Sequence, residues 1–192
     1  MKINILQNFS KKNYSSYPFP YFEINNCLPE DIYNALFKDY NEFIKFFHQN
    51  EKIYENNIRL QISSEDFFNT PIFKNSIWYD FISYHTSKDF LKDIIGIFYE
   101  DIIKFFPKIS FCENKIQNSG IRGAINNKKK DFVLDCQPGI NTKVIKKKSV
   151  RGPHIDNPHE IIGGLFYLSD VDDNDGGDLQ IFESKKKILF HE

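Results

Sequence analysis

The sequence predicts an α+β fold in which helices come first and a jelly-roll-like set of short β-strands follows. Apolar residues recur at helical spacing as far as about residue 107, and beyond it short apolar runs alternate with turn-forming clusters of Asn, Asp, Gly and Pro. The length of 192 residues fits one domain. We therefore expect a single domain, 1–192, with a mainly helical support region, 1–107, and a β core, 108–192.

Three helices are expected in the support region, after an aromatic edge strand over 17–26. The first helix begins at Pro29, because proline suits the first helical position and the acidic residues after it complement the helix dipole. The second covers about 73–84. Ser87 is expected to cap the third, which should end at Pro107. The aromatic stripes of these helices are interpreted as core.

Five short strands are predicted in the β core, and such a series is typical of an antiparallel sandwich or jelly roll. They are Ile121–Ile125, Phe132–Cys136, Lys143–Ile145, Ile161–Leu168 and Leu179–Phe182. The acidic run 172–177 lies between the last two strands and lacks the ligand spacing and closing Glu of an EF-hand loop. We interpret this run as a hairpin turn.

Composition limits the functions open to the chain. Lys and Arg total 25 against 26 for Asp and Glu, a net charge of −1, which argues against nucleic acid as the main partner. The absence of a long apolar run and of a signal peptide predicts a cytoplasmic protein without a membrane partner. Cys27, Cys112 and Cys136 include no CxxC pair, so reduced thiols are expected rather than disulfides or a thiolate zinc site.

The most informative stretch for chemistry is 151–160, in which His154 and Asp156 are two positions apart. On a strand, residues i and i+2 point to the same face, so this imidazole and this carboxylate would converge on one point. They would then supply two ligands of a 2-His-1-carboxylate iron site. A surface hydrogen bond and a His–carboxylate catalytic dyad are the alternatives, and the spacing alone does not choose among them.

The motifs around this pair resemble, in their order, the prolyl-hydroxylase-like branch of the 2-oxoglutarate- and Fe(II)-dependent dioxygenases. Four segments carry the resemblance: CQPG at 136–139, HIDNP at 154–158, LFYL at 165–168 and DGGDLQIF at 175–182. Near the N-terminus, PFPYFEI and LPEDI are similar to the strand and helix that often precede this barrel. The resemblance therefore covers most of the chain.

This resemblance implies a double-stranded β-helix that binds Fe(II) through His154 and Asp156, with 2-oxoglutarate as co-substrate and O2 as oxidant. The implied reaction hydroxylates a small-molecule, saccharide-linked or peptidyl substrate while 2-oxoglutarate is decarboxylated to succinate. Asp156 argues against a halogenase, which has a small residue at that position. Tyr167 is implied to contact the co-substrate, with structural packing as the alternative, and Gln137 is implied to do so where relatives often carry Tyr.

Two other polar residues of the motif region are interpreted structurally. Arg151 precedes the predicted metal strand and could contact an anionic substrate, but an exposed Arg is usually solvated, which is the interpretation we prefer. His159 lies five residues beyond His154, outside the same-strand spacing, and is interpreted as a loop residue.

The distal part of the implied site is missing from the sequence. Relatives have a third ligand, a His, followed by a basic residue that pairs with the 2-oxoglutarate carboxylate, whereas here Lys185–Lys187 precede His191. Either the chain stops short of its natural C-terminus, a partner completes the barrel, or catalysis has been lost. We expect the first, with a barrel that is incomplete at the C-terminus. A non-catalytic binding module is the alternative function, and the sequence specifies neither substrate nor oligomeric state.

Overall fold

The computed structural model describes residues 2–125, 127–146, 154, 156–157, 159–168 and 179. Its helices are α1 (Glu30–His48), α2 (Ser64–Asn69), α3 (Ile77–His85), α4 (Lys88–Phe105) and α5 (Glu113–Gln117). Its strands are β1 (Tyr14–Ser15), β2 (Tyr21–Phe22), β3 (Arg59–Gln61), β4 (Ser119–Ile121), β5 (Phe132–Leu134) and β6 (Gly139–Asn141). Short 3-10 turns lie at Lys11–Asn13, Glu51–Tyr54, Pro71–Phe73 and Asn127–Lys129.

The described strands form three two-stranded sheets and no closed barrel. Strand β1 pairs antiparallel with β2, β3 pairs antiparallel with β6, and β4 pairs parallel with β5. The predicted mixture of helix and sheet is therefore confirmed. The double-stranded β-helix stays a prediction, because the described residues neither confirm nor exclude a jelly-roll core.

The main core is a cluster of aromatic rings between α1, α2 and α3. The ring centroids of Phe43 and Phe73 lie 4.6 Å apart, and those of Phe43 and Trp78 lie 5.0 Å apart. Phe67 stacks on Phe73 at 4.8 Å, and all four side chains are buried. The Trp78 indole N–H donates to the Leu36 carbonyl oxygen at 3.0 Å. Because aromatic side chains bury large apolar areas, this cluster contributes strongly to the stability of the helical region.

Helix α1 agrees with its sequence prediction. It begins at Glu30, and Pro29 is the residue before the first turn rather than the first helical residue. Apolar residues recur along it at helical spacing, and three of them are buried, namely Leu36, Phe43 and Phe47. The spacing of large apolar residues therefore predicted both the helix and the face that it buries.

Helices α3 and α4 agree with the prediction in type and differ in one boundary. The helix expected over 73–84 begins at Ile77, because a 3-10 turn comes before it. The Ser87 hydroxyl accepts the Phe90 backbone N–H at 3.2 Å, which confirms the predicted cap of α4. This helix ends at Phe105, close to the proline that was expected to end it. The short helices α2 and α5 were not predicted.

The strand predictions are less accurate than the helix predictions. The edge strand expected over 17–26 is only Tyr21–Phe22, and the strand expected over 132–136 is confirmed at Phe132–Leu134. The strand expected over 121–125 is wrong, because β4 ends at its first residue and the chain then turns. Gly123 lies in that turn at a φ of 94°, which a non-glycine residue adopts only with strain.

Of the remaining predicted strands, the one at 143–145 is wrong, whereas those at 161–168 and 179–182 stay predictions. The residues 143–145 are not a strand, because the ladder lies earlier, at Gly139–Asn141, where β3 provides a partner. Residues 161–168 have no strand partner among the described residues. Apart from Leu179, the strand expected over 179–182 lies outside the described residues, as does the turn expected over 172–177.

The β3–β6 pair connects the helical region with the later part of the chain. Leu60 lies opposite Ile140, and Gln61 lies opposite Gly139. A Cβ atom at Gly139 would lie 2.6 Å from the Leu60 carbonyl oxygen and 3.0 Å from Gln61 Cβ, so this close approach requires glycine. The sheet crosses the change in composition near residue 107, which therefore does not separate two packing units.

We predict that Phe43→Ala lowers the free energy of unfolding by about 3–5 kcal/mol, because it opens a cavity among buried rings. The control is Phe37→Ala on the same helix, whose ring is 45% exposed and whose loss should cost less than about 1 kcal/mol. Urea unfolding of both variants measures the difference. Equal losses would contradict the described packing.

His85 is buried at the end of α3 with both ring nitrogens in contact with backbone groups. Its Nδ1 donates to the Phe81 carbonyl oxygen at 2.7 Å, and its Nε2 accepts the Ile5 backbone N–H at 3.5 Å. Burial lowers the pKa of His85 from 6.5 to about 4, although the bond to Phe81 acts in the opposite direction. The imidazole is therefore neutral in the folded protein at neutral pH.

We predict that His85 makes the fold less stable as the pH falls from about 6.5 to about 4. The pKa of His85 is lower in the folded than in the unfolded state, so the unfolded state binds more protons in that range. The difference in pKa corresponds to about 3 kcal/mol of stability that is present above this range and lost across it.

Urea unfolding at several pH values tests this prediction in the wild-type protein, in His85→Gln and in the control His48→Gln, which changes an exposed residue at the end of α1. The dependence of stability on pH should become weaker in His85→Gln and stay unchanged in His48→Gln. An unchanged dependence in His85→Gln would contradict the assignment.

Candidate functional site

His154 and Asp156 lie beside each other at the protein surface. The distance from His154 Nε2 to Asp156 Oδ1 is 3.4 Å, and the two side chains are 38% and 63% exposed. No strand is assigned to the described residues of 154–160. The imidazole and carboxylate lie beside each other without the strand from which their convergence was expected.

The separation of these two atoms suits ligands of a single metal ion. Two atoms each about 2.1 Å from an ion lie about 3.0 Å apart at octahedral angles and about 3.4 Å apart at tetrahedral angles. A neutral imidazole and a carboxylate are also the donor types of non-haem Fe(II) sites. A His–Asp ion pair has a similar separation, so the distance fits both interpretations.

In the part of the chain that the structure describes, no three His, Cys, Asp or Glu side chains are grouped closely enough to hold a metal ion. The described residues do not include His191, Lys185–Lys187 or Arg151. What the sequence indicates about these residues stays a prediction. Of the candidate metal site, the described residues thus include His154 and Asp156.

A turn follows the pair and contains His159. The Asn157 side-chain oxygen accepts the His159 backbone N–H at 3.0 Å, and the Asn157 carbonyl oxygen accepts the Glu160 N–H at 2.8 Å. Asn commonly forms turns of this kind through its side chain. His159 is exposed in this turn, which agrees with its interpretation as a loop residue.

Glu160 brings a second carboxylate to the neighbourhood of Asp156. A Cβ atom built on Gly163 would lie 3.3 Å from Glu160 Oε1 and 3.9 Å from Asp156 Oδ2. Both carboxylates therefore border the space that the missing side chain of Gly163 leaves. The motif did not single out Glu160, although its spacing of four positions from Asp156 would place both residues on the same face of a strand.

Tyr167 faces solvent in the described structure. Its side chain is 56% exposed, whereas the neighbouring Phe166 and Leu168 pack against the main core. The Phe166 ring stacks on Phe81 with centroids 5.3 Å apart. Core packing, which was the alternative role for Tyr167, is therefore not observed. Its contact with the co-substrate stays a prediction.

Gln137 belongs to a chain of hydrogen bonds that begins at α2. The Ser64 backbone N–H donates to Asp135 Oδ1 at 3.1 Å, and Gln137 Nε2 donates to Asp135 Oδ2 at 2.6 Å. Gln61 Nε2 in turn donates to Gln137 Oε1 at 2.5 Å. The amide of Gln137 is thus held between a carboxylate and a second amide. No local sequence pattern indicates this arrangement, because Gln61 is 76 residues away along the chain.

The residue before Gln137 is fixed by a buried hydroxyl. Ser64 Oγ accepts the Cys136 backbone N–H at 2.8 Å and donates to the Cys136 carbonyl oxygen at 3.0 Å. Burial, together with the charge of Asp135, raises the pKa of the Cys136 thiol to about 12. The thiol therefore stays protonated at neutral pH and is a poor metal ligand.

The three cysteines are free thiols in different surroundings. Cys27 and Cys136 are half-buried, whereas Cys112 is exposed. Burial raises the pKa of Cys27. The backbone N–H of Lys115 is the main cause that lowers the pKa of Cys112.

The chain matches no protein-family model, no curated protein and no solved structure. None of the helices in the described residues combines the length and the apolar character that crossing a membrane requires. The site must therefore be interpreted from its own geometry and from the order of its motifs.

We predict that Ser64→Ala lowers the free energy of unfolding by about 1–3 kcal/mol, because the Cys136 N–H and C=O both lose their partner beside the core. Urea unfolding measures the loss, and amide hydrogen exchange at Cys136 should become faster in the variant. Unchanged exchange at Cys136 would contradict the described role of the hydroxyl.

Proposed function

We propose that this protein is a 2-oxoglutarate- and Fe(II)-dependent oxygenase in which His154 and Asp156 bind the iron. The observation that supports this proposal is the 3.4 Å approach of His154 Nε2 to Asp156 Oδ1. This pair also lies within the run of four motifs, between residues 136 and 182, that resembles the dioxygenase family. Neither the spacing nor the motif order alone would be as specific.

In this proposal each of the two side chains supplies one ligand atom to the iron. His154 binds as a neutral imidazole through Nε2, and Asp156 binds as a carboxylate through Oδ1. Fe(II) and 2-oxoglutarate, when bound, supply the oxidative chemistry. Both side chains are partly exposed, His154 to 38% and Asp156 to 63%. The substrate is a small molecule, a saccharide-linked group or a peptide side chain.

The neighbouring carboxylate of Glu160 adds negative charge beside the proposed iron site. It borders the same space over Gly163 as Asp156 does. A carboxylate close to a bound divalent cation stabilises the cation and orients the ligands that it contacts. We therefore assign Glu160 a supporting role.

We predict that His154→Ala and Asp156→Ala each reduce the affinity for Fe(II) more than about tenfold, since loss of supporting residues alone costs about 10–100-fold. Both variants should also lose Fe(II)-dependent formation of succinate from 2-oxoglutarate. Anaerobic calorimetry of the full chain measures the affinity, and a succinate assay measures turnover. His159→Ala is the matched control, because it removes an exposed histidine of the neighbouring turn.

The outcomes separate the two functions that the sequence leaves open. Succinate formation that survives in the His154→Ala, Asp156→Ala double variant would contradict the proposal. Binding of Fe(II) and 2-oxoglutarate without any turnover would favour the non-catalytic binding module. An equal loss of iron affinity in His159→Ala would show that the pair has no special role.

A further inference from the structure

A polar cleft lies on the β1–β2 hairpin and shares no residue with the His154–Asp156 pair. We call it the hairpin cleft, and the residues that line it are Lys12, Asn13, Tyr14, Ser15, Tyr21, Glu23 and Asn25. Its volume of about 320 Å³ lies at the lower end of the roughly 300–1,000 Å³ that small-ligand sites occupy. The cleft therefore has room for one small ligand.

The backbone around the hairpin cleft is held in place by α4. Strands β1 and β2 pair with each other, and the Tyr14 hydroxyl donates to Asp101 of α4 at 2.6 Å. The Phe22 ring of β2 stacks on Phe98 of the same helix with centroids 5.3 Å apart. A site that is already in place before binding loses less free energy to ordering when a ligand arrives.

Two of the side chains that line the cleft are bound within the hairpin region itself. The Asn13 side-chain oxygen accepts the Ser10 backbone N–H and the Ser10 hydroxyl, both at 3.0 Å. Ser15 Oγ donates to the Tyr17 carbonyl oxygen at 3.1 Å. Asn13 and Ser15 therefore shape the cleft and keep their positions through these bonds.

Four other side chains of the cleft have polar atoms that are available to a ligand. Within the part of the chain that the structure describes, no side-chain hydrogen bond or ion pair is formed by Lys12, Tyr21, Glu23 or Asn25. Lys12 and Glu23 have opposite charges and line the same cleft, yet they do not pair with each other. Tyr21 is half-buried and the other three residues are exposed.

The hydrogen-bonding character of these four side chains indicates the kind of ligand. An ammonium group only donates, a carboxylate only accepts, and an amide and a phenol do both. A sugar hydroxyl group also donates and accepts, so neighbouring hydroxyls of one sugar ring match this mixed set. The charges of Lys12 and Glu23 cancel, which favours a ligand without net charge. Hydrogen bonds from a hydroxyl to either charged group are stronger than those between neutral groups.

An exposed aromatic ring lies next to the polar side chains of the cleft. The Phe19 side chain is 46% exposed, and its ring centroid lies 6.1 Å from that of Tyr21. Aromatic rings offer an apolar surface beside the polar end of a tyrosine. A sugar ring has the same division, because its C–H groups form an apolar face while its hydroxyls point outward.

We propose that the hairpin cleft binds a neutral saccharide of about one hexose ring. Glu23 accepts hydrogen bonds from its hydroxyls, and Lys12 donates to them. Asn25 and Tyr21 bind the neighbouring hydroxyls, while Phe19 contacts the C–H face of the ring. This site needs no metal and does not rest on the proposed function.

The test is a set of amide NMR titrations of the full chain with D-glucose, D-galactose, D-mannose and N-acetyl-D-glucosamine. At least one of these sugars should shift the signals of Tyr21, Glu23 and Asn25. In Glu23→Ala the affinity for that sugar should fall at least about tenfold, since hydrogen bonds to a charged group are lost. The control Glu51→Ala, which removes an exposed carboxylate after α1, should bind as the wild type does.

A second variant protects the test against an effect on folding. Asn25 is exposed and its side chain has no partner in the described residues, so Asn25→Ala should leave the hairpin intact. The affinity of this variant should fall at least about threefold. The site is contradicted if none of the four sugars shifts the three signals, or if Glu23→Ala binds as tightly as the wild type.

Two further titrations test the ligand class and the place of the site. Glycine carries both charges that Lys12 and Glu23 complement, but it has no hydroxyl groups. Glycine binding that is tighter than that of every sugar would contradict the assignment to a saccharide. Sugar binding should be unchanged in His154→Ala, and its loss there would contradict a site separate from the proposed iron site.

Discussion

The close pairing of β3 with β6 at Gly139 is the constraint on which the rest of the described structure depends. On one side of the ladder, Leu60 packs into the aromatic core that α1, α2 and α3 share. On the other side, Gln61 reaches Gln137. A single backbone approach, which only glycine permits, thus connects the core of the helical region with the polar groups of the later segment. Ser64 strengthens the connection, because its hydroxyl binds both backbone groups of Cys136.

Two pairs of polar side chains come together in different ways, one between neighbouring positions and one through the pairing of distant segments. His154 and Asp156 are two positions apart along the chain, and their side chains lie beside each other. Gln61 and Gln137 meet only because two distant segments pair. The first arrangement is the proposed metal site, whereas the second fixes the segment after β5 against α2 and β3.

The sequence predicts those parts of the structure whose signals are local. The cap at Ser87 and the apolar spacing around Phe43 are contained within single helices, and both predictions are confirmed. Strands of three residues carry little signal of their own, so β3 was missed although polar and buried residues alternate around Leu60. The sequence predicts a strand at 143–145, where apolar residues occur. The strand that pairs with β3 lies instead at Gly139–Asn141, where the pairing requires glycine. At the site, His154 and Asp156 lie close together without the strand on which the spacing argument relied, and the partners of Gln137 are set by tertiary packing.

The central claim is that His154 and Asp156 form a metal site, and paramagnetic relaxation tests it most directly. When the full chain is titrated with Mn²⁺, which accepts the same donor types as Fe(II), the NMR signals of Asn157, Glu160 and Gly163 should broaden first. The broadening should disappear in a His154→Ala variant, while the signals of α1 should stay sharp in both proteins. Broadening that is uniform over the surface, or that persists in the variant, would contradict the account.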